Sequence, residues 1–186
     1  GGDMPAARRP RRSGGRGPAG GGARAPYTVP RNAMGKVNRE TVLSVQHLNE
    51  SLFRFTTTRR SGLRFRSGQF VMLGLEVEGR PLLRAYSFVN AHYDDELEFY
   101  SIKVPDGALT SRLQHIAPGQ EILVGTKATG TLVLHTVRPG RHLYLLATGT
   151  GLAPFVSIVR DPDAYERYEH VVLVHGVRRV GDLGYR

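Results

Sequence analysis

From Val37 onward, short runs of apolar and β-branched residues alternate with polar breaks. Residues 41–47 and 51–58 flank a break at Asn49-Glu50. Leu52, Phe53 and Phe55 mix with polar neighbours as in a half-buried strand. Residues 69–77 are strongly β-prone, and Glu78-Gly79-Arg80-Pro81 reads as a turn. Further strands are predicted over 82–89, 96–104 and 120–125. Short strands spaced by roughly 8–12 residues predict an antiparallel sandwich or barrel. One helix interrupts the series, over 108–116, with Leu109, Leu113 and Ile116 at helical spacing and Pro118-Gly119 as its stop.

A second pattern begins near Pro139. Residues 141–148 form an apolar strand, followed by Gly149-Thr150-Gly151 as a turn of small residues. A helix is predicted over 152–160, with Pro154 in its first turn and Asp161-Pro162 at its end. Residues 171–174 are continuously apolar, as in a buried parallel strand. Strand, glycine turn, helix and strand make a βαβ unit. A doubly wound sheet needs more strands than the remaining residues supply, so this second domain is expected to be cut short. The predicted organisation is a disordered segment over 1–36, an all-β antiparallel barrel with one helix over 37–138, and an incomplete α/β, Rossmann-like domain over 139–186.

Composition changes the picture mainly at the N-terminus. The formal charge is +10 over 186 residues. Residues 1–33 hold seven arginines and one acid, hence +6 of that total. This Gly/Pro/Ala/Arg-rich arm has too few aliphatic side chains to offset the entropy of ordering, so disorder is expected. It reads either as a basic arm for RNA, anionic lipid or an acidic partner, or as a non-native extension ahead of a start at Met34. No aromatic-rich RNA-reading motif accompanies the arginines. There is no signal-type apolar stretch and no run of about 18 apolar residues, so a cytoplasmic location without membrane insertion is expected. The absence of cysteine excludes disulfides and thiolate chemistry, and no histidine pair has metal-ligand spacing.

Four groups could carry chemistry. Arg84-Ala85-Tyr86-Ser87 lies on a predicted strand, where alternation puts Arg84 and Tyr86 on one face and Ser87 on the other. A guanidinium beside a phenol suits a ligand with a phosphate and a flat ring. A surface arginine next to a core tyrosine would read the same way. Next come Tyr100, Ser101, Ile102, Lys103 and Val104, then Leu109, Thr110 and Ser111 at a helix start. Unpaired N–H groups and hydroxyls there could hold a pyrophosphate or simply cap the helix. Third is Thr148-Gly149-Thr150-Gly151 between strand and helix, which matches neither a P-loop nor G-x-G-x-x-G. Last is Arg178-Arg179 beyond the following strand, either a phosphate grip or a solvated basic loop.

Taken together and in order, R-A-Y-S at 84–87, Y-S-I-K-V-P-D-G-A-L-T-S-R-L-Q-H at 100–115 and A-T-G-T-G-L-A-P-F at 147–155 resemble bacterial ferredoxin/flavodoxin–NADP reductases. The resemblance covers residues 37–185. It implies a Greek-key barrel binding FAD, followed by a domain binding NADP(H), with electrons passed to ferredoxin or flavodoxin. Residue by residue, it implies that Arg84 holds the FAD pyrophosphate, Tyr86 packs on the flavin and ribityl chain, Ala85 lies with them at the cofactor, and Ser87 lies near flavin N5. Tyr100, Ser101, Ile102, Lys103 and Val104 would line the flavin and adenosine side, with Leu109 and Thr110 at the pyrophosphate. Thr148, Gly149, Thr150 and Gly151 would approach NADP, and Arg178 its 2′-phosphate. Acidic carriers would dock on Arg64, Arg66 and Arg84. The family's Cys-Gly motif facing the nicotinamide has no counterpart here, which leaves two alternatives open: another NAD(P)H-dependent reductase of the superfamily, or a catalytically defective FAD-binding fragment.

Overall fold

The structure is a computed structural model, and it describes residues 36–185. The basic arm over 1–33 lies outside the described residues. Eight strands form: β1 (Val37–His47), β2 (Leu52–Thr58), β3 (Phe70–Val77), β4 (Arg80–Ser87), β5 (Glu96–Ile102), β6 (Glu121–Gly125), β7 (His142–Thr148) and β8 (His170–Gly176). The first six make one antiparallel sheet in the order β4-β3-β6-β1-β2-β5, and β7 and β8 pair in parallel. The antiparallel barrel and the βαβ texture expected from the pattern are both present.

The six-stranded sheet curls until its two edge strands meet. An isolated bridge joins Phe88 to Phe99, and the Val89 amide donates to the Glu98 carbonyl at 2.9 Å. Inside the curl, Phe88, Phe99, Phe55 and Phe53 are fully buried, and their ring centroids lie 5.4–5.9 Å apart in sequence around the core. Phe65 stacks on Phe88 at 4.0 Å. Alternation along β2 and β5 sends these rings inward while Arg54 and Glu98 point away. The tight turn between β3 and β4 places both Glu78 and Gly79 at positive φ, the geometry of a two-residue hairpin.

The helix expected over 108–116 is regular only as α1 (Thr110–Leu113). Its continuation tightens into three-residue turns, with His115 N–H bonded to Arg112 and Ile116 N–H to Leu113. Leu109, Leu113 and Ile116 still reach the barrel core together, so the spacing foretold the packing better than the helix length. In the second part, the glycine turn is itself a 3-10 helix (Gly149–Leu152) that runs into α2 (Ala153–Val159). Beyond Asp161-Pro162 the chain forms a further short helix, α3 (Asp163–Arg167), that the pattern did not suggest. The Asp161 carboxylate accepts the Asp163 amide there, at 3.1 Å.

The apolar run in β8 is not buried as a continuous apolar strand would imply. Val172 and Val174, like Tyr144 and Leu146 on β7, are exposed because a two-stranded sheet covered by α2 leaves its other face open; Leu173, on the covered face beside Leu145, is still partly exposed because β8 pairs with β7 alone.

Phe99 sits at the closure of the barrel with no solvent exposure. Phe99→Ala is expected to cost about 3–5 kcal/mol of folding stability, measured by denaturant unfolding, because it opens a cavity where both edge strands depend on one ring.

Candidate functional site

Closure at Phe88 and Phe99 leaves the rest of the seam between β4 and β5 unpaired, and the Arg84–Ser87 stretch lies along it. Register places Arg84 opposite Leu73 and Tyr86 opposite Val71 on β3, so the two side chains share the inward face. Ala85 and Ser87 take the other face, opposite Met72 and Phe70. Tyr86 reaches across the seam: its hydroxyl lies 3.2 Å from Ser101 Oγ, and its ring meets Phe99 edge-on. Arg84 is half-buried, with Nη1 donating to its neighbour's carbonyl on Leu83 at 2.8 Å. Among the described residues no carboxylate lies within ion-pair distance of it. A half-buried guanidinium with spare donors beside an aromatic ring, at an open sheet edge, fits a phosphate joined to a planar ring.

β5 splits its residues between two surfaces. Ser101 is buried on the Tyr86 side. Tyr100 turns the opposite way, into a cluster with Leu52, Val89, Ala147, Leu152, Ala153 and Val156 that joins the barrel to the βαβ unit. The Lys103 ammonium donates to the Asn49 carbonyl at 2.7 Å and pins the end of β5 to the β1–β2 turn. Leu109 is a core residue, so only its backbone faces outward. Thr110 Oγ1 donates to the Val104 carbonyl at 3.2 Å, and the Leu109 cap position makes no side-chain bond. Val104 itself is exposed.

On the other side of β5, a cleft of about 900 Å³ lies between the barrel and the carboxyl ends of β7 and β8. Ile102 forms one wall; Thr148, Gly149, Thr150, Gly176 and Arg178 form the other. Such a position, outside the carboxyl ends of parallel strands, is where open α/β sheets receive ligands. Gly149 has φ of 51°, and a side chain there would meet no atom within contact distance, so conformation rather than crowding requires glycine. Its carbonyl lies 3.0 Å from His175 Nε2, which ties the turn to the end of β8. Gly151 lies beyond, in the same 3-10 helix. The two candidate regions are thus brought to opposite sides of one strand. Arg64 and Arg66 are exposed, and Arg66 Nη1 lies 2.8 Å from a ring nitrogen of His135.

Several joining residues carry no motif. Ser157 Oγ on α2 donates to the buried Asn90 carbonyl at 2.6 Å and accepts the Gly68 amide at 3.3 Å. His92 Nδ1 lies 3.0 Å from Asp161 Oδ2, and Tyr93 donates to the Arg160 carbonyl at 2.7 Å. Asn49 Nδ2 donates to the Gly181 carbonyl and to Asp182. Their only trace in the sequence is a polar residue next to a strand or helix end. Among the described residues there is no cluster able to hold a metal ion, and no helix long and apolar enough to cross a membrane.

A curled six-stranded antiparallel barrel with an Arg-x-Tyr-Ser seam, followed by a parallel βαβ unit, defines a class of barrel-type oxidoreductase domains. The family model described as oxidoreductase FAD-binding domain matches residues 36–132, and the chain belongs to that family. It is 62% identical over 152 residues to a ferredoxin–NADP reductase of Pseudomonas aeruginosa, covering 82% of this chain and 59% of that protein. It is 60% identical over 153 residues to the ferredoxin–NADP reductase of Azotobacter vinelandii, with the same coverage. Among solved structures, a ferredoxin NADP+ reductase from Neisseria gonorrhoeae with bound FAD and NADP superposes with a TM-score of 0.78 at 35% identity, over 80% of this chain and 61% of that one. The chain thus spans about six tenths of the length of these relatives.

Three phenols report on the seam and the junction. Burial pushes Tyr86 above the ordinary tyrosine value; burial and then the nearby Asp182 carboxylate do the same for Tyr100. Burial and then Glu98 raise Tyr185 strongly. Each folded-state phenol holds its proton more tightly than the unfolded chain does. Their stabilisation is therefore complete below about pH 10 and declines as pH rises beyond it. Thermal unfolding midpoints should fall steadily above that pH, with part of the ultraviolet tyrosinate signal appearing only on unfolding. Full titration of every tyrosine in the folded state would contradict this.

Proposed function

We propose that this chain is the flavin-binding part, with the beginning of the nucleotide-binding part, of an oxidoreductase moving electrons between NADP(H) and ferredoxin or flavodoxin. The observation that carries the reading is Arg84: a half-buried cation with no carboxylate partner among the described residues, sharing a face with Tyr86 at the unpaired edge of a FAD-family barrel. The named activity of relatives up to 62% identical supports it, as does the FAD and NADP bound in the similar structure.

In this reading, residues 37–138 hold FAD and residues 139–186 begin the NADP side. Arg84 grips the pyrophosphate, with Ala85 leaving room beside it. Tyr86 packs on the flavin, held in place by its contact with Ser101. Ser87 lies nearest flavin N5. Tyr100, Ile102, Lys103 and Val104 shape the wall between flavin and nucleotide, while Leu109 and Thr110 present backbone and hydroxyl to the FAD phosphates. Thr148, Gly149, Thr150 and Gly151 admit the nicotinamide end of NADP close to the backbone, and Arg178 meets its 2′-phosphate. Bound flavin supplies the exchange between two-electron and one-electron chemistry. The protein's part is orientation, charge and exclusion of water. Acidic carriers would meet Arg64 and Arg66 on the barrel surface, in a cytoplasmic setting.

The exposed apolar face of β7 and β8 favours a second reading, a fragment that binds FAD without turning over. One spectrum separates the readings. Purified protein mixed with FAD should retain a yellow flavin that NADPH bleaches without oxygen, with NADH less effective. Arg84→Ala should weaken FAD binding about 10- to 100-fold, as loss of a charged hydrogen-bonding pair does. Arg178→Ala should raise the NADPH requirement while leaving that for NADH nearly unchanged. Retained flavin that NADPH does not bleach would leave the fragment reading standing, and a colourless protein would overturn both.

A further inference from the structure

Glu98 is drawn from the sequence only as a polar position in an alternating strand, yet in the fold it is a centre of contacts. Its side chain is 12% exposed. Oε2 accepts Arg160 Nη1 at 2.5 Å, and Oε1 accepts the Tyr185 hydroxyl at 2.8 Å. Arg54 Nη1 lies 3.5 Å from Oε1. Among the described residues, neither arginine has another carboxylate within ion-pair distance. The two guanidiniums also lie over the Tyr185 ring, at 5.4 and 5.5 Å from its centroid. That ring meets Tyr100 edge-on at 5.4 Å.

These contacts come from separate parts of the chain. Arg54 and Glu98 belong to β2 and β5 of the barrel. Arg160 caps α2, the helix that continues directly from the glycine turn, and Tyr185 follows the β8 loop that carries Arg178. One carboxylate therefore pairs with two cations and holds the C-terminal end of α2 and the segment after β8 onto the back of β5, the strand whose other side bears Ser101, facing Tyr86. Each fixed geometry costs side-chain entropy, so three groups sharing one mostly buried carboxylate is an arrangement that orients rather than merely fills space.

We propose that Glu98 is a positioning residue, whose carboxylate sets the orientation of the nucleotide-facing glycine turn against the flavin-facing seam. The consequence for hydride transfer rests on the function proposed above; the clamp itself does not. Replacing the carboxylate by an amide of the same shape leaves Arg54 and Arg160 close together without an anion.

The test uses the full chain with FAD and compares Glu98→Gln and Tyr185→Phe with the parent protein. Amide hydrogen exchange at Arg160, Asp182 and Leu183 should quicken about tenfold in Glu98→Gln and less in Tyr185→Phe, the scale of one lost charge-assisted bond. The amides of the β2–β5 ladder and the affinity for FAD should stay within about twofold of the parent, since these lie within the barrel. Bleaching by saturating NADPH should slow about tenfold, with little change in the NADPH concentration giving half the maximal rate, because orientation is lost rather than binding. Unchanged exchange at the three amides, or equal quickening in the β2–β5 ladder, overturns the proposal. If Glu98→Gln does not fold, Tyr185→Phe decides by the same comparison. A parent protein that takes up no flavin would sink the functional reading while the exchange data still judge the clamp.

Discussion

The structure depends on the meeting of Phe88 and Phe99. A six-stranded sheet with free edges would expose two rows of unpaired backbone groups and a face of aromatic rings. Curling it until its ends touch buries Phe53, Phe55, Phe88 and Phe99 against one another and replaces an open sheet with a barrel. The contact is short because Asn90 and the turn after it lead the chain away: Asn90 Nδ2 donates to the Glu96 carbonyl and its Oδ1 accepts the Glu98 amide. What remains of the seam is a line of unsatisfied edge, and it is there that Arg84 and Tyr86 lie. The same closure that completes the core therefore leaves an open edge beside Arg84 and Tyr86.

A second consequence is that β5 works on two sides. Strand alternation sends Ser101 towards Tyr86 and Tyr100 towards α2. The seam beside Arg84 and Tyr86 and the cleft at the carboxyl ends of β7 and β8 are therefore separated by the thickness of one strand. The junction is an apolar cluster around Tyr100, flanked by ion pairs and hydrogen bonds of Glu98, Ser157 and Asn90 that fix its geometry. Relative placement of the two halves thus rests on apolar packing together with a few directional contacts, the latter being the less tolerant of substitution.

How much was legible beforehand differs from element to element. The strands were readable because β-prone residues and turn residues alternate over short distances, and turn chemistry such as Glu78-Gly79 marks their ends. Leu109, Leu113 and Ile116 were correctly grouped, but the helix that carries them is short because packing onto the barrel, rather than helical continuity, satisfies them. The α3 helix was missed because Asp161-Pro162 reads as a stop and serves instead as the start of another turn. The apolar string in β8 reads as buried, yet burial depends on what lies on each face. Its neighbours leave the Val172 and Val174 side open and cover the Leu173 side only in part.

The Arg84-Ala85-Tyr86-Ser87 and Thr148-Gly149-Thr150-Gly151 motifs, the βαβ connection and the family resemblance were all determined by the sequence alone. Each rests on residues near one another along the chain, where periodicity, backbone freedom and side-chain chemistry act locally. Tertiary structure alone decided that Tyr100 belongs to the junction and Leu109 to the core. It also decided that Arg84 faces an open seam with no carboxylate partner among the described residues, and that Glu98 gathers Arg54, Arg160 and Tyr185. Glu98 and Arg160 are 62 residues apart, and Glu98 and Tyr185 are 87. No local pattern links them. They meet because the register of a curled sheet and the exit of α2 bring their charges to one place.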